Sequence, residues 1–301
     1  MVAADRPGAA MTAIAPPATR PLTAALWMLG SIFSFLAMGI AGRELKGALD
    51  VFEIMTWRSV IGLVIVVAVA RATGARRLLA TDQLHWHALR NTVHFAGQGL
   101  WFWALMVIPL AQLFALEFTS PIWVMLMAPL LLGERLTRVR ALAAALGFAG
   151  VLIVARPDFG HMDPGVAAAL GAAVCFACNI ILTKRLTGKA TILSILFWQT
   201  AMQSVFGLIC AGWDGQVAVP GPAELPWIAI VGVGGLVAHF SLTKALSLAP
   251  AGFVIPIDFA RLPLAAVLGF VLYAEALEIA VVVGGALIFL GNIINIRYGA
   301  R

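Results

Sequence analysis

Asn91, His94, Gln98 and Trp101 recur at intervals of three, four and three residues within the apolar stretch 88–107. That spacing sets two amides, an imidazole and an indole on one face of a helix. Such groups give and take hydrogen bonds without a fixed charge, so they suit a neutral or zwitterionic solute held by its polar edges. Trp101 adds an aromatic wall. Trp198, Gln199 and His239 are of the same chemical kind in later apolar stretches, and these seven are the candidate substrate-binding residues. Arg58, Glu117, Asp258 and Arg261 are charged residues deep inside apolar runs, where each needs a partner or a wet cavity. Asp258 has Arg261 three residues on, close enough to neutralise it. Glu117 has no such neighbour and is expected to pair with Arg58 or to bind a proton. These four are the candidates for gating or coupling, and Ser31, Ser34 and Asn179 are further candidates for polar lining.

Neither Gly-x-Ser-x-Gly nor His-Glu-x-x-His occurs, and His94 and His239 have no acid or thiol at ligand spacing. The sequence therefore implies no enzyme, metal or cofactor; an intramembrane lipid-modifying enzyme or protease and a channel are the rivals from other classes. Cys175-x-x-Cys178 stands alone in an apolar run without a second pair, so both cysteines read as small core residues. No Gly-x-x-x-x-Gly-Lys-Ser/Thr motif is present, which argues against ATP-driven transport by this chain.

The elements that position these residues follow from composition. Of 301 residues, 62% are hydrophobic and 11% charged, with a mean hydropathy of +0.98. Too little charged surface remains for a soluble domain of this length. Ten apolar stretches have the length that crosses a bilayer. They run near 22–42, 49–70, 88–107, 110–132, 138–155, 164–184, 191–211, 225–247, 251–273 and 277–297. Residues 1–21 hold four prolines and read as a disordered cytoplasmic tail. With that end inside, fifteen of the twenty Lys and Arg fall on the cytoplasmic side, three on the other, and two (Arg58 and Arg261) within spans. That bias places both termini in the cytoplasm. The charges flank spans and form no basic run, so nucleic acid is not an expected partner despite a pI near 9.8. The expected partners are membrane lipid and a small-molecule substrate, with the chain a monomer or homodimer.

A constant offset of 141 residues superimposes the second half on the first. Gly30 meets Gly171, Phe35 meets Phe176, Trp57 meets Trp198 and Pro109 meets Pro250. Glu117-Phe118 meets Asp258-Phe259, Glu134 meets Glu275 and Gly150 meets Gly291. Five spans per half is an odd number, so the copies insert with opposite orientation. Inverted repeats of this kind belong to secondary transporters with a site near the midplane. The expected units are 22–156 and 157–301. Prolines interrupt spans 4 and 9 in both halves (Pro121 and Pro129; Pro256 and Pro263), which points to the same region. The offset also puts Glu117 toward the outer side and Asp258 toward the cytoplasm, His239 opposite Gln98, and Gly235 opposite His94. Ala143, Gly147, Gly150, Gly284 and Gly291 suit close helix contact, within one chain or between two. Glu134 and Glu275 lie at span ends and read as interfacial structure.

Ten spans in two fives, a fourth span closing on Pro129-Leu-Leu-Leu-Gly-Glu134, and its echo Leu272-Tyr-Ala-Glu275 resemble the EamA family of the drug/metabolite transporter superfamily. The resemblance covers residues 22–297. It implies an all-α, polytopic carrier in a bacterial inner membrane that works by alternating access. Members of similar pattern export amino acids, including aromatic ones. A multidrug or nucleotide-sugar carrier is the alternative within the family, although a nucleotide sugar needs a more basic cavity than Arg58, Arg261 and Lys244 provide.

Overall fold

The computed structural model describes residues 20–74, 82–132, 138–155, 163–187, 189–248, 257–258 and 260–298. The helices among them are α1 (Pro21–Glu44), α2 (Val51–Thr73), α3 (Leu84–Val107), α4 (Leu110–Glu117), α5 (Ser120–Leu132) and α6 (Arg138–Ala155). The second half supplies α7 (Pro164–Thr187), α8 (Ile192–Ala211), α9 (Leu225–Leu248), α10 (Arg261–Tyr273) and α11 (Ile279–Tyr298). No β-strand occurs among the described residues. The chain is an all-α membrane protein of two five-span repeats, with α4 and α5 together forming the fourth span. Residues 1–19, Glu134 and Pro256 lie outside the described residues.

Helix ends are set by local chemistry that the repeats share. Asp50 caps α2 in a reciprocal capping box with Glu53 (2.8 and 2.9 Å). Its register partner, Thr191, caps α8 through the Ser194 amide at 3.2 Å. Among the described residues, five helices are long and apolar enough to cross a membrane, namely α1, α2, α7, α8 and α9. Their outer faces present Leu26, Phe33, Val64, Leu208 and Ile209 to the surroundings, as lipid requires. Helix α3 is equally long but turns His87, Arg90, Asn91, His94 and Gln98 inward, all buried.

Span 4 breaks between α4 and α5 at Phe118-Thr119. Pro121 has no amide proton, and its ring crowds the carbonyl of Glu117 four residues back. The carbonyls left at the break find side-chain donors: Ser120 Oγ to Glu117 O (2.7 Å), Thr119 Oγ1 to Leu116 O (2.6 Å) and Asn292 Nδ2 to Phe118 O (3.1 Å). Irregular backbone at this depth persists only where protein groups satisfy it.

The main packing pairs are α1 with α9, α3 with α7, α2 with α8, and α6 with α11. Exchanging the repeats converts the first pair into the second and leaves the other two unchanged. The register is visible atom by atom. A Cβ at Gly30 would lie 3.4 Å from Ser241 Oγ, and one at Gly171 would lie 3.1 Å from Leu100, the partners of each residue being 141 apart. At the α6–α11 crossing, a Cβ at Gly150 would lie 2.5 Å from Gly284 O, and one at Gly291 would lie 2.6 Å from Ala143 O. The small residues of spans 5 and 10 therefore bring two backbones of one chain together.

Candidate functional site

The polar stripe of α3 faces α8 and α9 at the middle of the bundle. His94 Nδ1 lies 2.6 Å from Gln203 Nε2, and its ring centroid is 5.9 Å from Phe176 and 6.4 Å from His239. His239 meets Phe35 edge-on at 5.4 Å. Gln98 Oε1 is buried without a hydrogen-bond partner among the described residues. A buried acceptor left open costs stability, so it is the sort of group a solute satisfies. His94, Gln98, Gln203 and His239, walled by Phe35 and Phe176, form a compact polar and aromatic centre.

Trp101 closes this centre toward the broken span. Its indole N–H donates to Glu117 Oε2 at 2.7 Å, and its ring meets Phe102 and Phe114 edge-on. Glu117 does not pair with Arg58. Its cation is Arg261, whose Nη2 lies 3.2 Å from Glu117 Oε1 and 3.2 Å from Asp258 Oδ2. The two acids thus converge on one guanidinium. The reason is arithmetic: acids about 10 Å in from opposite faces of a core about 30 Å thick are separated by only about 10 Å, a gap two carboxylates and one arginine span. Phe35, Phe114 and Phe118 pack on the Arg261 guanidinium at 4.6, 5.0 and 4.7 Å.

Several other candidate residues, and Trp57, bond to neighbouring helices and connections. Asn91 is fully buried and spends its amide on Trp198 O (3.0 Å) and Met202 Sδ (3.2 Å), tying α3 to α8. Gln199 accepts from Arg90 Nη2 at 3.0 Å. Trp198 packs beside His87 and Phe197, nearer the start of α8. Trp57 donates to Ala218 O at 2.9 Å, out at the 212–224 connection. Ser31 bonds to Ala238 O, and Asn179 Oδ1 is buried without a partner among the described residues.

Arg90 and Gln203 were not legible as site residues. Arg90 is one of the fifteen charges counted on the cytoplasmic side, only two residues in from the start of the stretch 88–107, yet α3 starts at Leu84 and buries it to 6% exposure. Its guanidinium reaches Thr183 Oγ1, Asn91 Oδ1 and Gln199 Oε1. Gln203 had one signal: it lies four residues, one helical turn, beyond Gln199.

Glu275 is more than interfacial. Arg43 donates to it and to the carbonyls of Leu105 and Ile108, and Glu275 also accepts from the Leu110 amide at 2.9 Å. With Lys46 on Met106 O and Tyr273 on Glu44, this network ties the ends of α1, α3, α4 and α10 together. It closes the end of the bundle that carries the 45–50 connection. A surface cleft lined by Pro109, Gln112, Glu275 and Val281 lies beside that network, away from the central polar groups.

A profile of the EamA-like transporter family matches twice, over residues 22–156 and 163–297. The chain belongs to that family. It is therefore a small-metabolite transporter of a membrane-spanning kind, not an enzyme. Among curated relatives, a riboflavin transporter of Vibrio cholerae is 28% identical over 258 residues, covering 84% of this chain and 86% of the relative. A riboflavin transporter of Brucella anthropi is 30% identical, covering 77% and 83%. An S-adenosylmethionine uptake transporter of Rickettsia felis is 25% identical, covering 84% and 85%. A solved crystal structure at 21% identity superimposes with a TM-score of 0.63, covering 91% of this chain and 96% of that one, and supports the fold.

Proposed function

We propose that this chain is a secondary carrier whose substrate is a small, uncharged ring-bearing metabolite, a flavin of the riboflavin kind first, taken up across a bacterial cytoplasmic membrane. The observation that carries this reading is the charge balance around the central site. Among the described residues, three buried guanidinium groups (Arg58, Arg90, Arg261) stand against two carboxylates (Glu117, Asp258). Such a site is net positive and favours a neutral or anionic solute over a cationic one. S-adenosylmethionine, with a sulfonium and an ammonium against one carboxylate, carries net positive charge and ranks lower. Riboflavin is neutral, and its ring edge alternates hydrogen-bond donors and acceptors that Gln98, Gln203 and the imidazoles can meet. Phe35, Phe176 and Trp101 offer aromatic surface to its ring.

A second reading, an exporter of aromatic amino acids, rests on the separation of Arg58 from the Glu117–Asp258 pair. Such poles suit the carboxylate and the ammonium of a zwitterion. The positive-inside bias supports cytoplasmic termini for either reading. The small-residue faces of α6 and α11 are used within one chain, which favours a monomer.

The test is counterflow into proteoliposomes with labelled riboflavin, S-adenosylmethionine, phenylalanine and tryptophan. Saturable riboflavin exchange, accelerated by internal riboflavin, is the expected outcome. Saturable amino acid exchange with flat riboflavin would transfer the assignment to the second reading, and flat traces throughout would sink both.

A further inference from the structure

Among the described residues, three arginines are buried in the middle of the bundle, and the protein treats them differently. Arg90 bonds to three side-chain oxygens. Arg261 has two carboxylates and three aromatic faces. Arg58, the eighth residue of α2 and 7% exposed, makes no ion pair among the described residues, and its buried Nε has no hydrogen-bond partner there. A guanidinium at such depth is costly to leave without an acceptor.

The space that Arg58 fills is shaped for it. Its guanidinium lies across Gly235 of α9, where a Cβ would stand 2.8 Å from Nη2 and 3.1 Å from Nε. The register partners of this pair are Gln199 and His94. Arg58 and His94 belong to the first repeat and Gln199 and Gly235 to the second, so the place that holds an arginine and a glycine corresponds by register to one that holds a glutamine and a histidine. The long cation and the missing side chain face each other, and together they break the symmetry of the scaffold at one place. Gly235 lies one helical turn before His239 on α9, so this place adjoins the central site.

We infer that Arg58 is the residue that selects the substrate, by binding two coplanar acceptor atoms on it through the guanidinium fork. This rests on the transporter reading above and names the chemistry of that same site. A planar fork matches paired acceptors in a way a lysine cannot. A carboxylate offers such a pair, and so does the N1 and C2=O edge of a flavin ring. Gly235 is the positioning residue, because it alone lets the guanidinium lie against α9.

The experiment compares wild type with R58K, R58Q and G235A in proteoliposomes, using riboflavin against 1-deazariboflavin and phenylalanine against phenylalaninamide. Each second compound lacks one of the paired acceptors. Wild type should prefer the intact member of the pair it carries by about tenfold, the value of one good charge-assisted bond. R58K and R58Q should raise KM about tenfold or more at little cost in maximal rate, and abolish the preference. G235A keeps the charge but displaces the guanidinium, and should raise KM likewise. Unchanged KM and unchanged preference in R58K and R58Q would overturn the inference. Thermal stability without substrate separates binding from structure. Glutamine already stands at the register partner, so R58Q should be at least as stable as wild type, whereas an arginine kept for the fold would make it less stable. If wild type carries none of the four compounds, the functional reading fails, and that stability comparison still decides whether Arg58 is structural.

Discussion

Glu117 and Asp258 occupy one register position in the two repeats, 141 residues apart, and share the Nη2 of Arg261 at 3.2 Å each. The arginine joins the broken fourth span to the ninth and holds two like charges together. Replacing it by glutamine leaves two carboxylates facing each other in a medium that solvates neither. R261Q is expected to destabilise the protein by about 3–5 kcal/mol. The variant R261Q/E117Q/D258N, which removes all three charges, should recover much of that loss. Melting temperatures in detergent check both, and a triple variant no more stable than R261Q would show that Arg261 acts through its aromatic contacts instead.

Trp101 links the α3 stripe to this ion pair through its 2.7 Å bond to Glu117. Phenylalanine there keeps an aromatic face but removes the donor. W101F is expected to raise KM several-fold while shifting stability by about 1 kcal/mol, the worth of one hydrogen bond. Transport kinetics beside a thermal melt tell these apart; a large loss of stability with unchanged KM would make Trp101 a core residue only.

Much of the fold was legible because its signals are local or periodic. Apolar length gave the spans, and the 141-residue offset gave a register that the Gly150–Gly284 and Gly291–Ala143 contacts reproduce. The site was legible in part. The spacing of His94, Gln98 and Trp101 placed them on one face, but which helix supplies their partners is a tertiary fact, so Gln203 went unseen. Glu117 was matched with the wrong arginine because sequence gives depth only along one span at a time. Arg90 counts as a cytoplasmic charge in the sequence because it stands two residues in from the edge of the stretch 88–107, whereas α3 begins four residues before that edge and carries Arg90 a further turn inward.

The α6–α11 crossing makes a sharp steric prediction. A Cβ at Gly150 would press on the carbonyl of Gly284, and backbone cannot swing aside as a side chain can. G150A should cost about 1–3 kcal/mol through overpacking, despite alanine's better helix propensity. Gly99 is the control, since a Cβ there finds nothing nearer than Met55 Sδ at 3.8 Å. G99A should leave the melting temperature unchanged or raise it. Equal effects at both positions would mean that the two helices do not cross this closely.

At the end of α10, Ala274 holds a left-handed conformation at φ 51°, while the first repeat has Gly133 at the same register. Alanine pays a steric cost there that glycine avoids. A274G is expected to stabilise the protein by about 1 kcal/mol. A lower melting temperature in A274G would contradict the assigned backbone conformation.

The neighbouring Glu275 fixes how firmly that end of the bundle is closed. It takes hydrogen bonds from Arg43 and from the Leu110 amide, and Arg43 in turn holds the last carbonyls of α3. Removing the carboxylate leaves a half-buried guanidinium unmatched and frees an amide at the α3–α4 junction. E275A should therefore raise deuterium exchange across residues 105–113 by about tenfold, because exchange follows the free energy of local opening. R43Q should do the same, and the double variant should add little, since both act on one network. Unchanged exchange in E275A would mean that the α3–α4 junction is held by its apolar packing, and that this network does not control access from that side.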